Sequence, residues 1–351
     1  MSTSPEQEID RFGLAPHPRE QMALFGHEEA EQAFLESYRA GRLHHAWLLG
    51  GPEGIGKATF AYRVARFLLA HGDPSAHAVT EARTLNVDPE HPAARKIISQ
   101  AHPDLVVLRR APATDKKAAS TIIPVDAVRK ALGLFLSTSG ADGYRICIVD
   151  SLEDLNVAST NALLKIIEEP PPRSLFLLVA HVPGRTLATI RSRCRKLSLR
   201  PLAVEDVARA VRSLPSPLGD AALDDIDRAA ALAGGSVRAA LSLMDAETMQ
   251  VVGRVRALLE RLPALDRAAL HKLADTMTGR EAEADFAVLL ETVHDWIMAT
   301  VRERAQEGPA RLARLIEVWD NSNQMARETQ VFNLDRRPLI LSLFGDLAQA
   351  V

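Results

Sequence analysis

Ala46-Trp47-Leu48-Leu49-Gly50-Gly51-Pro52-Glu53-Gly54-Ile55-Gly56-Lys57-Ala58-Thr59 is the stretch on which the fold of this chain turns. Its first four residues are an unbroken apolar run of the kind that forms a buried strand. The glycines at 51, 54 and 56, with Lys57, then fill the first seven positions of the G-x-x-x-x-G-K-[ST] loop, and a helical pattern continues to about Ala70. A strand, loop and helix in this order turn successive backbone amides toward one point. There the helix N-terminus adds partial positive charge and the lysine reaches terminal phosphates. Gly51, Gly54, Gly56, Lys57, Ala58 and Thr59 are therefore candidate residues for holding ATP or ADP.

The eighth position breaks the pattern: it is Ala58, where the loop needs a hydroxyl to hold Mg²⁺. Thr59 does not take its place, because one step along a helix turns a side chain by about 100°. Farther on, Tyr144-Arg145-Ile146-Cys147-Ile148-Val149-Asp150 reads as a buried strand ending in a carboxylate, so Asp150 stands where an acid holds the metal through water. The next residue is Ser151, which is no general base for an attacking water. Glu153 and Asp154 read as a solvated, acidic start to the following helix. The expectation is a cradle that binds nucleotide weakly or without hydrolysing it, and no metal site is assigned.

Working outward, helical spacing runs from Glu28 through Phe34 and Tyr38 to a stop at Gly41. Apolar runs at Leu105 to Leu108, Tyr144 to Val149 and Ser174 to Ala180 alternate with amphipathic stretches at Val125 to Leu136 and Ser159 to Glu168, which predicts a parallel sheet covered on both faces. Residues 71–102 lack a period and read as an insertion. Met1 to about Glu20 is polar and without periodicity, and reads as a flexible lead-in. After Leu199-Arg200-Pro201 the strand signals stop and amphipathic helix takes over, with Ser236 a candidate N-cap. The fold class expected is α/β, with a P-loop nucleotide-binding domain at 1–202, a small helical lid domain at 203–246 and an all-α domain at 247–351.

Composition narrows the function classes. The chain has 351 residues, enough for several cores, and a formal charge of −3, so no global basic field draws it to nucleic acid. Its two cysteines, Cys147 and Cys194, are too few for a disulfide framework or a four-thiolate zinc site. The first residues lack an apolar segment and no run of about 18 apolar residues occurs, so the expectation is a cytoplasmic protein with protein partners.

Several stretches resemble the gamma and delta-prime subunits of the bacterial DNA polymerase III clamp loader, members of the AAA+ class. They are Leu24-Phe25-Gly26-His27, Gly41-Arg42-Leu43-His44-His45-Ala46, Asn161-Ala162-Leu163-Leu164-Lys165-Ile166-Ile167-Glu168-Glu169-Pro170-Pro171 and Ser192-Arg193-Cys194. Asn333-Leu334-Asp335 to Leu343-Phe344 is similar to the last helix of the oligomerising collar in that family. The resemblance implies that Arg193 is an arginine finger supplied in trans to a neighbour's ATP site, and that Arg238 stands where a lid arginine senses nucleotide. It also implies gamma/tau and delta subunits as partners, and the sliding clamp and primer-template DNA reached through the complex. The chain would then be part of a nucleotidyltransferase holoenzyme without being an efficient ATPase itself. The family's sensor position falls near Ala180-His181, where neither residue is the usual Thr or Asn. Its zinc module has no counterpart here: His71, His77, His91 and His102 follow no ligand spacing, no zinc is expected, and the insertion reads as a plain loop. Within that resemblance a gamma-like motor carries the hydroxyl and the glutamate, so Ala58 and Ser151 imply likeness to the delta-prime kind of subunit.

Three other readings stay open at this stage. Arg193 also fits a surface arginine among Arg185, Arg191, Arg195 and Lys196, and that cluster fits a phosphate-contacting DNA patch, although it lacks interleaved aromatics. The chain also fits an autonomous P-loop ATPase of gamma/tau type that uses Thr59 and Glu153 in unusual geometry.

Overall fold

The computed structural model describes residues 11–111, 120–136, 143–279, 282–304, 309–332 and 334–351. Met1 to Asp10 and Asn333, both used in the sequence reading, lie outside them. The chain forms two compact units, Met1–Leu241 and Ser242–Val351.

In the first unit the order is α1 (Glu28–Arg39), β1 (Ala46–Gly50), α2 (Lys57–Ala70), α3 (His77–Thr80), α4 (Pro92–Ile98), β2 (Leu105–Arg109), α5 (Val125–Leu136), β3 (Arg145–Asp150), α6 (Val157–Glu168), β4 (Ser174–Ala180), α7 (Ala188–Arg191), β5 (Arg195–Ser198), α8 (Val204–Arg212), α9 (Leu223–Leu232) and α10 (Val237–Leu243). The five strands are parallel in the order β2-β3-β4-β1-β5. β1 and β4 are buried along their whole length, because each has a neighbour on both edges and helices on both faces. Alternation divides their apolar runs between two cores. Trp47, Leu49, Ile146, Ile148, Leu175 and Leu177 face α1 and α2, where Phe34, Tyr38, Phe60 and Phe67 meet them. Leu48, Cys147, Val149, Phe176 and Leu178 face α5 and α6.

Three expectations change. The fifth strand, Arg195–Ser198, was read only as part of a basic cluster. It is an edge strand with three of its four residues exposed, so it carries no apolar run, and its register on β1 supplies the order. The insertion is not a plain loop: Val79, Leu85, Ala94 and Ile97 join the core on the α2 face, and the loop residue Asn86 accepts from Arg63 Nη1 at 3.0 Å. Its apolar residues are spread over helices too short to show a period. Residues 11–20 are not a flexible lead-in either. Ala15, His17 and Arg19 are buried, and Arg66 of α2 donates to the Arg19 and Gln21 carbonyls at 2.8 and 2.7 Å. That segment is held by backbone capture rather than by a regular element, which is why periodicity did not reveal it.

The second unit is helical: α11 (Ala246–Leu259), α12 (Arg267–Thr276), α13 (Glu283–Glu303), α14 (Pro309–Phe332) and α15 (Arg336–Ala350). Asp245, Asp266 and Asp335 cap α11, α12 and α15 by accepting backbone N–H groups. α15 buries Leu339, Ile340, Leu343, Phe344 and Leu347, the one-sided spacing of an amphipathic helix, in a core shared with Leu270 and Leu273 of α12 and Leu315 and Ala326 of α14. Among the described residues no helix is long and apolar enough to cross a membrane.

Candidate functional site

The β1 chain leaves the sheet at its carboxyl edge and turns through residues 51–56 into α2. In an open parallel sheet this is the end where ligands bind. Gly54 and Gly56 have φ of +76° and +98°, which only glycine takes without strain. At Gly54 space is a second constraint. A Cβ there would lie 2.2 Å from Ser236 Oγ and 2.6 Å from Arg238 Cβ, because the start of α10 is laid over the loop and the Val237 amide donates to the Gly54 carbonyl at 3.0 Å. Ser236 caps α10 as expected, accepting from the Ala239 amide at 3.2 Å. The Gly51 amide is already committed to the Ala180 carbonyl at 3.2 Å.

A cavity of about 270 Å³ opens over this loop. Its apolar lining includes Pro16, Leu24, Ile55, Leu202, Leu214 and Leu241. The same cavity gathers Gly54, Gly56, Lys57, Ala58, Thr59, Asp150 and Arg238 from three separate parts of the sequence. Lys57 is buried and curls back so that Nζ donates to the Pro52 carbonyl. Burial lowers its pKa to about 8, with Glu53, Asp150 and Glu153 opposing the shift. Arg238 Nη1 lies 3.3 Å from Glu53 Oε1 of the loop, and its guanidinium sits 5.2 Å from the centre of the Phe12 ring. The buried His27 holds the underside of the loop, Nε2 to the Ile55 carbonyl at 2.7 Å.

The acidic groups have other employment. Ser151 is buried, and its amide and hydroxyl both donate to Asp154 Oδ2 at 3.3 Å across the 3₁₀ turn Leu152–Asp154. Asp154 in turn meets Arg110 Nε at 3.3 Å; burial raises its pKa, and Arg110 and the Ser151 hydrogen bonds oppose that. Glu153 is exposed, yet its Oε1 accepts the His181 and Val182 amides at 2.7 and 2.8 Å and ties the turn to the end of β4. The expectation of a solvated helix start is corrected accordingly, because both carboxylates bind protein groups. His181 lines the cavity with its Nδ1 buried and without a hydrogen-bond partner, and burial followed by the Lys57 charge lowers its pKa. A bound metal fits this pocket poorly. Ala58 offers no oxygen, Asp154 faces a guanidinium, and among the described residues no cluster of His, Cys, Asp or Glu suits a metal ion. Of the insertion histidines, His91 caps α4 and His102 accepts the Asp104 amide at 3.2 Å.

Arg110 and Phe12 were missed from the sequence. Arg110 follows β2 with no motif around it, and only the sheet order brings the end of β2 to the cavity. Phe12 belongs to the segment misread as a lead-in.

Arg193 is not among the residues lining this cavity. It follows α7, its side chain 39% exposed, with Nη2 2.8 Å from Glu168 Oε1 and Nη1 donating to the Thr189 carbonyl at 3.0 Å. Two other members of the cluster are held by protein groups. Arg195 stacks on Trp47 at 4.7 Å and donates to Ser37 Oγ, and Arg191 donates to the Gly184 carbonyl.

Residues 26–203 match the family model described as DNA polymerase III, delta subunit. The chain is 31% identical to DNA polymerase III subunit delta' of Pseudomonas aeruginosa over 77% of this chain and 76% of that protein. It is 31% identical to the Escherichia coli subunit delta' over 62% of this chain and 60% of that protein. DNA polymerase III subunit tau of E. coli is 27% identical over 84% of this chain and 42% of that protein. Among solved structures, a gamma subunit-related protein of Thermotoga maritima aligns over 90% of this chain and 99% of that one, at 15% identity and a TM-score of 0.39. With a phosphate loop on a five-stranded parallel sheet and these sequence relations in hand, the chain belongs to the DNA polymerase III delta-prime family of AAA+ clamp-loader subunits.

Proposed function

We propose that this chain is a hydrolysis-deficient subunit of the clamp loader, which lends Arg193 to the ATP site of an adjoining gamma/tau subunit and so helps place the sliding clamp on primed DNA. The observation that carries the reading is the state of its own pocket. The amide loop and Lys57 remain, while Ala58 and Ser151 stand where a metal hydroxyl and a water-activating acid are needed. Gly51, Gly54, Gly56, Lys57, Ala58, Thr59, Asp150 and Arg238 would then hold ATP or ADP at most as a static ligand. Residues 203–246 would act as its lid, and 247–351 as the collar that joins gamma/tau and delta.

Arg193 suits its role because a guanidinium stays charged and planar and stabilises charge that develops on a transferring phosphoryl group. It stands outside the chain's own cavity and partly exposed, as a group used in trans requires. Against an autonomous ATPase stands Glu153, whose oxygen already accepts two amides.

The purified chain is expected to hydrolyse ATP negligibly. Arg193→Ala is expected to lower ATP turnover of the assembled loader, by a factor that approaches about 10³ at the adjoining site alone. Native turnover in that variant would rule out the donated arginine, and brisk hydrolysis by the isolated chain, lost in Lys57→Ala, would establish the autonomous enzyme.

A further inference from the structure

α6 ends on two carboxylates, Glu168 and its C-cap Glu169. This is the negative pole of the helix, where the macrodipole disfavours anions. Lys165 is the basic residue of that last turn, and the chain then runs straight into Pro170-Pro171-Pro172. The cation that faces Glu168 comes from beyond β4: Arg193 Nη2, 2.8 Å from Glu168 Oε1. The same guanidinium is held through Nη1 by the Thr189 carbonyl at 3.0 Å, with Ser192 Oγ at 3.4 Å. Both Nη groups are tethered while 39% of the side chain stays open to solvent.

We propose that Glu168 is a positioning residue for Arg193. Its carboxylate fixes one side of the guanidinium and leaves the exposed remainder aimed outward for an anionic phosphoryl group on an adjoining subunit. The inference rests on the reading of Arg193 as a donated arginine and adds the group that orients it. A free arginine side chain spreads over many rotamers. A group that must meet a transferring phosphate within a fraction of an ångström loses effectiveness steeply when it wanders. An exposed ion pair contributes little to folding, so the effect of losing this one belongs in turnover rather than in stability.

The test uses the complete loader, assembled with gamma and delta subunits and assayed with clamp, primed DNA and ATP, its assembly verified by mass. Glu168→Gln is expected to lower kcat roughly fivefold at unchanged KM for ATP, and Glu168→Asp to restore most of it. In an Arg193→Ala background Glu168→Gln is expected to add no further loss. Native kcat in Glu168→Gln beside an impaired Arg193→Ala would overturn the positioning role and leave the donated arginine standing. A raised kcat in Glu168→Gln would overturn it as well, since Glu168 would then be withholding Arg193. Native kcat in Arg193→Ala would remove both.

Discussion

Lys57 is the residue whose environment departs furthest from what its motif implies. Buried against the Pro52 carbonyl, it has a pKa near 8, and burial outweighs the nearby carboxylates. A phosphate prefers the protonated amine, so nucleotide affinity is expected to fall as pH rises through about 8. Between pH 7 and 9 the protonated fraction drops about tenfold, where an ordinary lysine titrating near 10.4 would stay charged. Burial and the Lys57 charge lower the pKa of His181, so its own titration lies on the acid side of that window. Fluorescent-nucleotide titrations of the chain at the two pH values check this, and a flat profile would show that Lys57 does not meet the phosphates. At this scale the sequence was informative about identity and silent about employment. Ala58 and Ser151 were legible as departures, but the commitments of Glu153 to β4 and of Asp154 to Arg110 depend on groups far away in the chain.

At the scale of elements, α2 links the loop to the rest of the first unit through two buried arginines. Arg63 pairs with Glu31 of α1, both side chains 7% exposed, and also donates to the Met22 carbonyl and Asn86. Removing one partner of such a pair leaves an uncompensated charge. Glu31→Ala is therefore expected to destabilise the first unit by about 3–5 kcal/mol, measurable as a lowered urea midpoint, whereas an exposed pair such as Arg95 with Glu90 should cost under about 1 kcal/mol. A cost below about 1 kcal/mol for Glu31→Ala would mean that Arg63 is satisfied by its carbonyl and amide partners alone. Strands β1 to β4 and helices α1, α2, α5 and α6 were legible because length and periodicity agree with burial. β5 and the helices of the insertion were not, since an exposed edge strand and two short helices carry too few apolar residues to set a pattern.

For the whole molecule, the formal charge of −3 offers no global basic field for DNA. Duplex or primed DNA is expected to be retained by the full loader and not by this chain alone at micromolar concentration and physiological salt. Gel-shift titration checks it, and tight, salt-sensitive binding by the isolated chain would favour the DNA-patch reading of the basic cluster. The chain is related in sequence to both delta' and tau subunits.

From the sequence alone came the fold class, the phosphate loop, its missing hydroxyl and the family, because all of these reside in local spacing: an apolar run, three glycines and a lysine, a strand ending in an acid. The tertiary structure decided which distant groups share the cavity, that the segment around Phe12 is a wall of it, and that Arg193 stands outside it in the grip of Glu168. Such facts depend on strand order and on side chains meeting across the sheet, and no periodicity along the chain encodes them.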